Sequence, residues 1–332
     1  MDFRTRVLID ESDIRISHKT KMMLFGSCFS ENIGTKLKYN KFDVDVNPFG
    51  ILYNPMSISK CIRRLIDKRE FTEADLVQEN EIYHSFMHHG IFSYPDKEKC
   101  LDNINFRFNK AKHFIDKSDV ILITFGTAYV FCLHSNNEIV SNCHKFPASK
   151  FNRYRLTIDE IVEEWYNLID LLRDLNPKVR IVLTVSPIRH FKDGAHDNQI
   201  SKSILHLAVE SLQQKFKDLI DYFPAYEIMM DELRDYRFYN EDMTHPSPMA
   251  QEYIWQRFAD RYFTDSVKNI NKEWSQISKS INHRPLRTDT QSYYKFISKT
   301  IESLQLFSKK YPHISCEEEI NHFSKLVNAN NI

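Results

Sequence analysis

Glycine is scarce in this chain. Six residues of 332 are glycine, against an average usage of about 7%. The positions that keep one, Gly26, Gly34, Gly50, Gly90, Gly126 and Gly194, are therefore expected to mark turns or close backbone approaches. Net charge is also missing: 45 basic residues balance 45 acidic ones, which excludes the strong field that favours nucleic acid or an anionic membrane. The six cysteines, at 28, 61, 100, 132, 143 and 316, form no C-x-x-C pair and no zinc-finger spacing. Such scattered thiols point to a reducing compartment. The longest apolar run, Ile121 to Leu133, is broken by Thr124 and Gly126 and falls short of the roughly 20 residues of a membrane helix. The first residues, MDFRTRVLIDES, lack the apolar stretch of a signal peptide. No phosphate-binding loop occurs, and Gly26 and Gly34 do not make a dinucleotide fingerprint. These absences predict a soluble cytoplasmic protein with no cofactor, no nucleic-acid partner and no membrane partner.

What is present reads as alternating strands and helices. Lys21–Phe25, Lys41–Val46, Asp119–Phe125, Lys178–Ser186 and Asp221–Tyr226 have strand character. The third and fourth are continuous apolar runs, the pattern of parallel strands buried on both faces. Between them, residues 58–66, 102–115, 158–175 and 201–219 have helical periodicity, with Ile161, Trp165, Leu168 and Leu172 along one face of the third. This alternation predicts an α/β fold, a parallel sheet with helices on both faces. Ligands in such folds bind at the carboxyl ends of the strands, so Gly26-Ser27-Cys28, Gly126-Thr127 and Ser186-Pro187 would share one rim. From about residue 266 the chain turns polar and helical, with Tyr293, Phe296, Ile297, Ile301, Leu304 and Phe307 on one face. We expect a main domain over 1–265 and a helical extension over 266–332.

Two segments carry chemistry. Gly26-Ser27-Cys28-Phe29 joins a strand to a helix, where unpaired backbone N–H groups and the positive end of the helix dipole activate a nucleophile and hold an oxyanion. Asp242-Met243-Thr244-His245 places an acid three residues before a histidine, the two remaining members of a catalytic triad. Ser247 and Pro248 behind it suit an N-cap and a first helical position.

The motif Gly26-Ser27-Cys28-Phe29-Ser30-Glu31-Asn32-Ile33-Gly34 resembles the signature of the GSCFA domain family, with Ser30 in place of the family's alanine. The likeness extends through Asn47-Pro48-Phe49-Gly50-Ile51-Leu52-Tyr53-Asn54-Pro55, His84-Ser85-Phe86-Met87-His88-His89, Thr124-Phe125-Gly126-Thr127-Ala128, Asn142-Cys143-His144-Lys145, Ser186-Pro187-Ile188-Arg189-His190 and Asp242–Ser247, over roughly residues 1–263. That family is similar to the GDSL/SGNH hydrolases. The resemblance implies a flavodoxin-like three-layer α/β/α sandwich and esterase chemistry, with no particular substrate.

Laid on the superfamily's Gly-Asp-Ser-Leu, Cys28 takes the nucleophile's place and Ser27 the aspartate's. A register shifted by one makes Ser27 the nucleophile instead. A helix N-terminus and a nearby histidine are expected to lower the pKa of a thiol at position 28. His245 would serve as general base, oriented by Asp242. The resemblance also implies an oxyanion donor from Gly50. The superfamily's asparagine block reads Gly126-Thr127-Ala128-Tyr129 here, so its amide is missing, with Thr127, Asn142 or His144 as substitutes. His84, His88 and His89 form an H-x-x-x-H-H cluster whose first two members share a face if the segment is helical. We read no metal site there, and His88 or His89 could instead touch a polar substrate. Arg189 suits a carboxylate or phosphate, or a surface ion pair. The reading is a hydrolase of the SGNH (GDSL-like) type, an esterase or deacylase acting on an acylated small molecule or carbohydrate. The alternatives are an acyltransferase that moves an acetyl group from a thioester donor to a sugar hydroxyl, and a non-catalytic binding module.

Overall fold

The computed structural model describes residues 4–329. At its centre lies a parallel sheet of five strands: β1 (Met22–Gly26), β2 (Val44–Val46), β5 (Val120–Phe125), β9 (Arg180–Val185) and β10 (Ile220–Tyr222), in the spatial order β2-β1-β5-β9-β10. This is the flavodoxin-like doubly wound order. Every residue of β1 and β5 is buried, because both faces of the sheet are covered.

Met23, Phe25, Ile121 and Ile123 point to one face, into a core shared with α2 (Pro55–Ile66), α3 (Lys97–Ile115), α4 (Ile158–Leu175) and α5 (Ala195–Lys215). Met22, Leu24, Val120 and Leu122 point to the other, against α1 (Cys28–Tyr39), a short helical turn α6 (Ala225–Glu227) that runs on into a π-turn, and α7 (Pro248–Tyr262). Helix α4 starts at a capping box in which Thr157 and Glu160 bond each other's backbone N–H. It buries the predicted face of Ile161, Trp165, Leu168 and Leu172.

Two additions escaped the sequence reading. A hairpin of β3 (Val77–Glu79) and β4 (Ile82–His84) precedes α3, and a three-stranded antiparallel sheet is built from β6 (Tyr129–Leu133), β7 (Ile139–Val140) and β8 (Phe151–Arg155). The apolar run 121–133 is thus two strands of different sheets that part at Gly126-Thr127. Beyond α7, three helices, α8 (Asp265–Ile281), α9 (Gln291–Lys310) and α10 (Glu317–Ala329), close around Trp274, Ile297, Leu304, Phe307, Ile314 and Cys316. They dock on the end of α1: Trp274 Nε1 donates to Tyr39 O at 2.6 Å, and Lys41 pairs with Glu319. No helix among the described residues is long and apolar enough to cross a membrane.

Candidate active site

The turn between β1 and α1 is tight because Gly26 has φ +137°, and a Cβ there would lie 2.5 Å from the carbonyl oxygen of Thr124. Ser27 follows, fully buried. Its hydroxyl accepts from the N–H of Phe29 at 3.3 Å, the N-cap bond, and donates to Ser186 Oγ at 3.1 Å across the sheet. Cys28 is the first helical residue and is half-buried. Its own N–H has no backbone acceptor, as expected of the first turn of a helix, and is directed so as to stabilise a thiolate. The Tyr53 hydroxyl lies close enough for phenol and thiol to shift each other. Burial nevertheless pushes the Cys28 thiol above its ordinary value, and its N–H and Tyr53 only partly offset this, while Glu31 adds to the rise. The lowered pKa expected from helix and histidine is therefore not what the surroundings produce: desolvation outweighs them. At neutral pH the group is a thiol.

His245 sits in the loop before α7. Its Nδ1 is 2.5 Å from Asp242 Oδ2. Asp242 Oδ1 accepts from the N–H groups of Thr244 and His245, each at 2.9 Å. Those two N–H groups, then the imidazole, hold the Asp242 carboxyl well below the usual carboxylate range. A carboxylate can only accept, so Nδ1 carries the proton and Nε2 is left as a base. Ser247 caps α7 through Ala250 N, and Pro248 occupies its first turn.

Cys28 and His245 both line one cavity of about 610 Å³, together with Ser27, Tyr53, Asn54 and Thr127. No hydrogen bond joins the thiol to the imidazole among the described residues; such contacts often tighten only around substrate. The far wall comes from the antiparallel sheet and the following loop, with Phe131, Val140, Asn142, Phe146 and Phe151. Arg189 enters from the loop after β9.

Several expected contributors are employed elsewhere. The Gly50 N–H donates to Asn47 O at 2.8 Å, so it is not an oxyanion donor. The N–H groups of Gly126 and Thr127 both bond Tyr53 O, at 2.8 and 2.9 Å, and the Thr127 hydroxyl is shared between Ser201 and the N–H of Tyr129. Gly126 has a different use: a Cβ there would meet Tyr53 O at 2.8 Å, so its absence lets the 51–54 segment lie across the end of β5. His144 is buried, with Nε2 2.8 Å from Ser85 O, and burial pushes it down to about 4. His84 ends β4, His88 lies in the turn that follows, and His89 caps a short 3₁₀ turn, so the cluster is not helical. None of these three histidines lines the cavity, and among the described residues no group of three or more His, Cys, Asp or Glu side chains is placed to hold a metal ion. Asn142 does line the cavity, with Oδ1 tied to His144 N at 2.9 Å.

Three residues received no role from the sequence. Asn54 uses Oδ1 to cap α2 through Ser57 N at 2.8 Å and is one of the residues lining the cavity. The Asn-Pro pair announces that cap. Lys202 of α5 is fully buried, and its ammonium donates to Gly126 O and Ser186 O, both at 2.7 Å. It ties the ends of β5 and β9 together. Burial, with Arg189 adding, pushes it down to about 7. His190 lines the cavity; burial, then Lys202, His245 and Arg153, push it down to about 4.

The GSCFA family model matches residues 21–258, and the model described as GSCFA domain protein, C-terminal domain, matches residues 274–329. No curated protein matches the chain by sequence. Among solved structures it is similar to a carbohydrate esterase family 3 protein from Talaromyces cellulolyticus (10% identity, TM-score 0.35, covering 76% of this chain and 99% of that one). It is also similar to the acetyl xylan esterase Est2A from the rumen bacterium Butyrivibrio proteoclasticus (10% identity, TM-score 0.37, covering 75% and 64%). Likenesses at this level carry no functional argument.

Proposed function

The chain belongs to the GSCFA family, and from that premise and the site geometry we propose that it is an SGNH-type hydrolase, an esterase or deacylase acting on an acylated small molecule or carbohydrate, with Cys28 as nucleophile. One observation carries the reading. The Cys28 thiol and the His245–Asp242 pair open on the same cavity, whereas the Ser27 hydroxyl is committed to the helix cap and to Ser186. Because the thiol is protonated at rest, His245 acts as a general base during attack and not as the partner of a standing thiolate. Cys28 Sγ attacks the ester carbonyl as its proton passes to His245 Nε2. Asp242 steadies the imidazolium. The Cys28 N–H, the Asn54 amide and the protonated Tyr53 hydroxyl are the available oxyanion donors. His245 then gives its proton to the departing alkoxide, leaving a thioester at Cys28. Water, deprotonated by His245, releases the acid and restores the thiol.

The proposal includes a division of labour, with residues 1–265 catalytic and 266–332 a helical extension, supported by the separate core around Trp274. It also includes a cytoplasmic location, supported by six free thiols.

A panel of acetyl and longer acyl esters assayed on wild type, Cys28→Ala and Ser27→Ala tests it. Cys28→Ala should abolish turnover; Ser27→Ala should retain it at reduced stability. Full activity in Cys28→Ala overturns the nucleophile. Product analysis with a sugar acceptor present separates water from a hydroxyl as the second substrate, and acyl transfer in place of hydrolysis would make the protein an acyltransferase.

A further inference from the structure

Among the described residues, Arg189 is the one partly buried cation of the cavity wall with no acid paired to it. The loop that carries it is tied down on both sides. Ile188 N donates to Ser186 Oγ at 3.3 Å, and His190 N donates to Asn198 Oδ1 at 2.8 Å on α5. The guanidinium packs over the Phe191 ring, 4.8 Å from its centroid. Among the described residues no hydrogen bond or ion pair leaves it, and its Nε is buried without a partner. A half-buried arginine has five N–H groups to satisfy, and an unpaired one in a cavity is costly unless something fills the place.

The surrounding charge has the same sign. Arg153 is bound to Asp193, which leaves Arg189 and Lys192 as excess cations on the wall. Buried Lys202 lies near enough to Arg189 to feel its repulsion, and its ammonium binds only carbonyl oxygens, not a carboxylate. A bound anion would relieve both cations.

Resting on the esterase reading above, we propose that the ester substrate carries an anionic group, a carboxylate or a phosphate, which binds bidentately to Arg189 beside the catalytic residues. Arg189 lines the same cavity as Cys28 and His245, so this group shares the space in which the carbonyl reacts. Lys192 is exposed and contributes attraction without geometry.

The test reads binding, so it does not depend on turnover. Wild type, Arg189→Lys and Arg189→Gln are titrated by calorimetry with methyl glucuronide, glucose 1-phosphate and methyl glucoside. At least one anionic sugar should bind wild type roughly tenfold or more tightly than the neutral one, from the strength of charge-assisted hydrogen bonds. Added salt should weaken it. Arg189→Gln should erase the preference, and Arg189→Lys should keep a part of it, since lysine retains charge but not the fork. Tighter glucuronide identifies a carboxylate site, and tighter sugar phosphate a phosphate site. Equal binding of charged and neutral sugars by wild type, no binding of either anion at millimolar concentration, or an unchanged preference in a folded Arg189→Gln overturns the proposal. Anion preference in a protein that cleaves no ester would defeat the esterase reading alone.

Discussion

Histidines of two kinds occur in the motifs of this chain, and the structure sorts them by what surrounds each ring. His245 faces a cavity, and a carboxylate fixes the proton on its Nδ1. His88 is enclosed by Phe49, Phe71 and Phe92, with ring centroids 4.7 to 5.0 Å away, and its Nδ1 lies 3.0 Å from Ser85 Oγ. His144 stacks on His84 at 4.5 Å and bonds Ser85 O. Ser85 thus holds both rings, one through its hydroxyl and one through its carbonyl. Burial drives His88 down to about 3 and His144 to about 4. A histidine that cannot charge is a structural aromatic with a polar rim. One that can take a proton beside a carboxylate is a base.

The largest effect should come from His245→Ala. It should lower kcat/KM by about 10³-fold or more and leave the melting temperature nearly unchanged, because the ring is half exposed. Asp242→Asn should cost somewhat less, about 10²-fold in kcat. His88→Ala should do the opposite: stability falls by about 2–4 kcal/mol as a cavity opens among three phenylalanines, while activity per folded molecule is kept. Steady-state kinetics beside urea denaturation would show it. An inactive but stable His88→Ala protein would break the comparison.

Acid should separate the two kinds again. The folded pKa of His88 and of His144 lies below the unfolded value of about 6.5, so between those limits the unfolded chain binds more protons. Stability then rises with pH across the window, and acidification removes it. Each ring contributes a slope of up to about 1.4 kcal/mol per pH unit, from pH about 6.5 down to about 3 for His88 and about 4 for His144. Denaturation midpoints measured from pH 7 to pH 5 should fall steeply in wild type and less steeply in His88→Gln. A slope unchanged by that substitution would mean that His88 already charges in the folded state.

Much of this arrangement was legible in the residues. Buried strands show as unbroken apolar runs, so β1, β5 and β9 could be placed to within two residues, and the helical face of α4 was readable residue by residue. The turn between β1 and α1 was readable because a glycine, a capping serine and a helix start coincide there. The antiparallel sheet was not. β8 reads Phe-Asn-Arg-Tyr-Arg and is exposed in its middle, and β6 continues an apolar run without a break in composition. The cavity's far wall was hidden with them. Lys202 was passed over for another reason: it falls in register with the buried face of α5, beside Asn198, Leu205 and Val209, where a lysine is not expected, and only the carbonyl oxygens of Gly126 and Ser186, supplied by distant strands, make burial of its ammonium tolerable. The histidine segment was legible only in part: H-x-x-x-H-H puts its first two members on one face only if it is helical, and the backbone there turns instead.

His89 lies on the boundary between the two kinds, and its substitution should have the smallest effect. It is half-buried and absent from the cavity wall, and its ring accepts only a long hydrogen bond, 3.4 Å, from Ile91 N. Its stronger link, N–H to Phe49 O at 2.9 Å, belongs to the backbone and survives mutation. His89→Ala should therefore cost about 0.5–1 kcal/mol, the value of a weak cap, read as a small shift of the urea midpoint with kcat and KM unchanged. A rise in KM at unchanged stability would bring His89 to the substrate and move the line between structural and functional histidines by one residue.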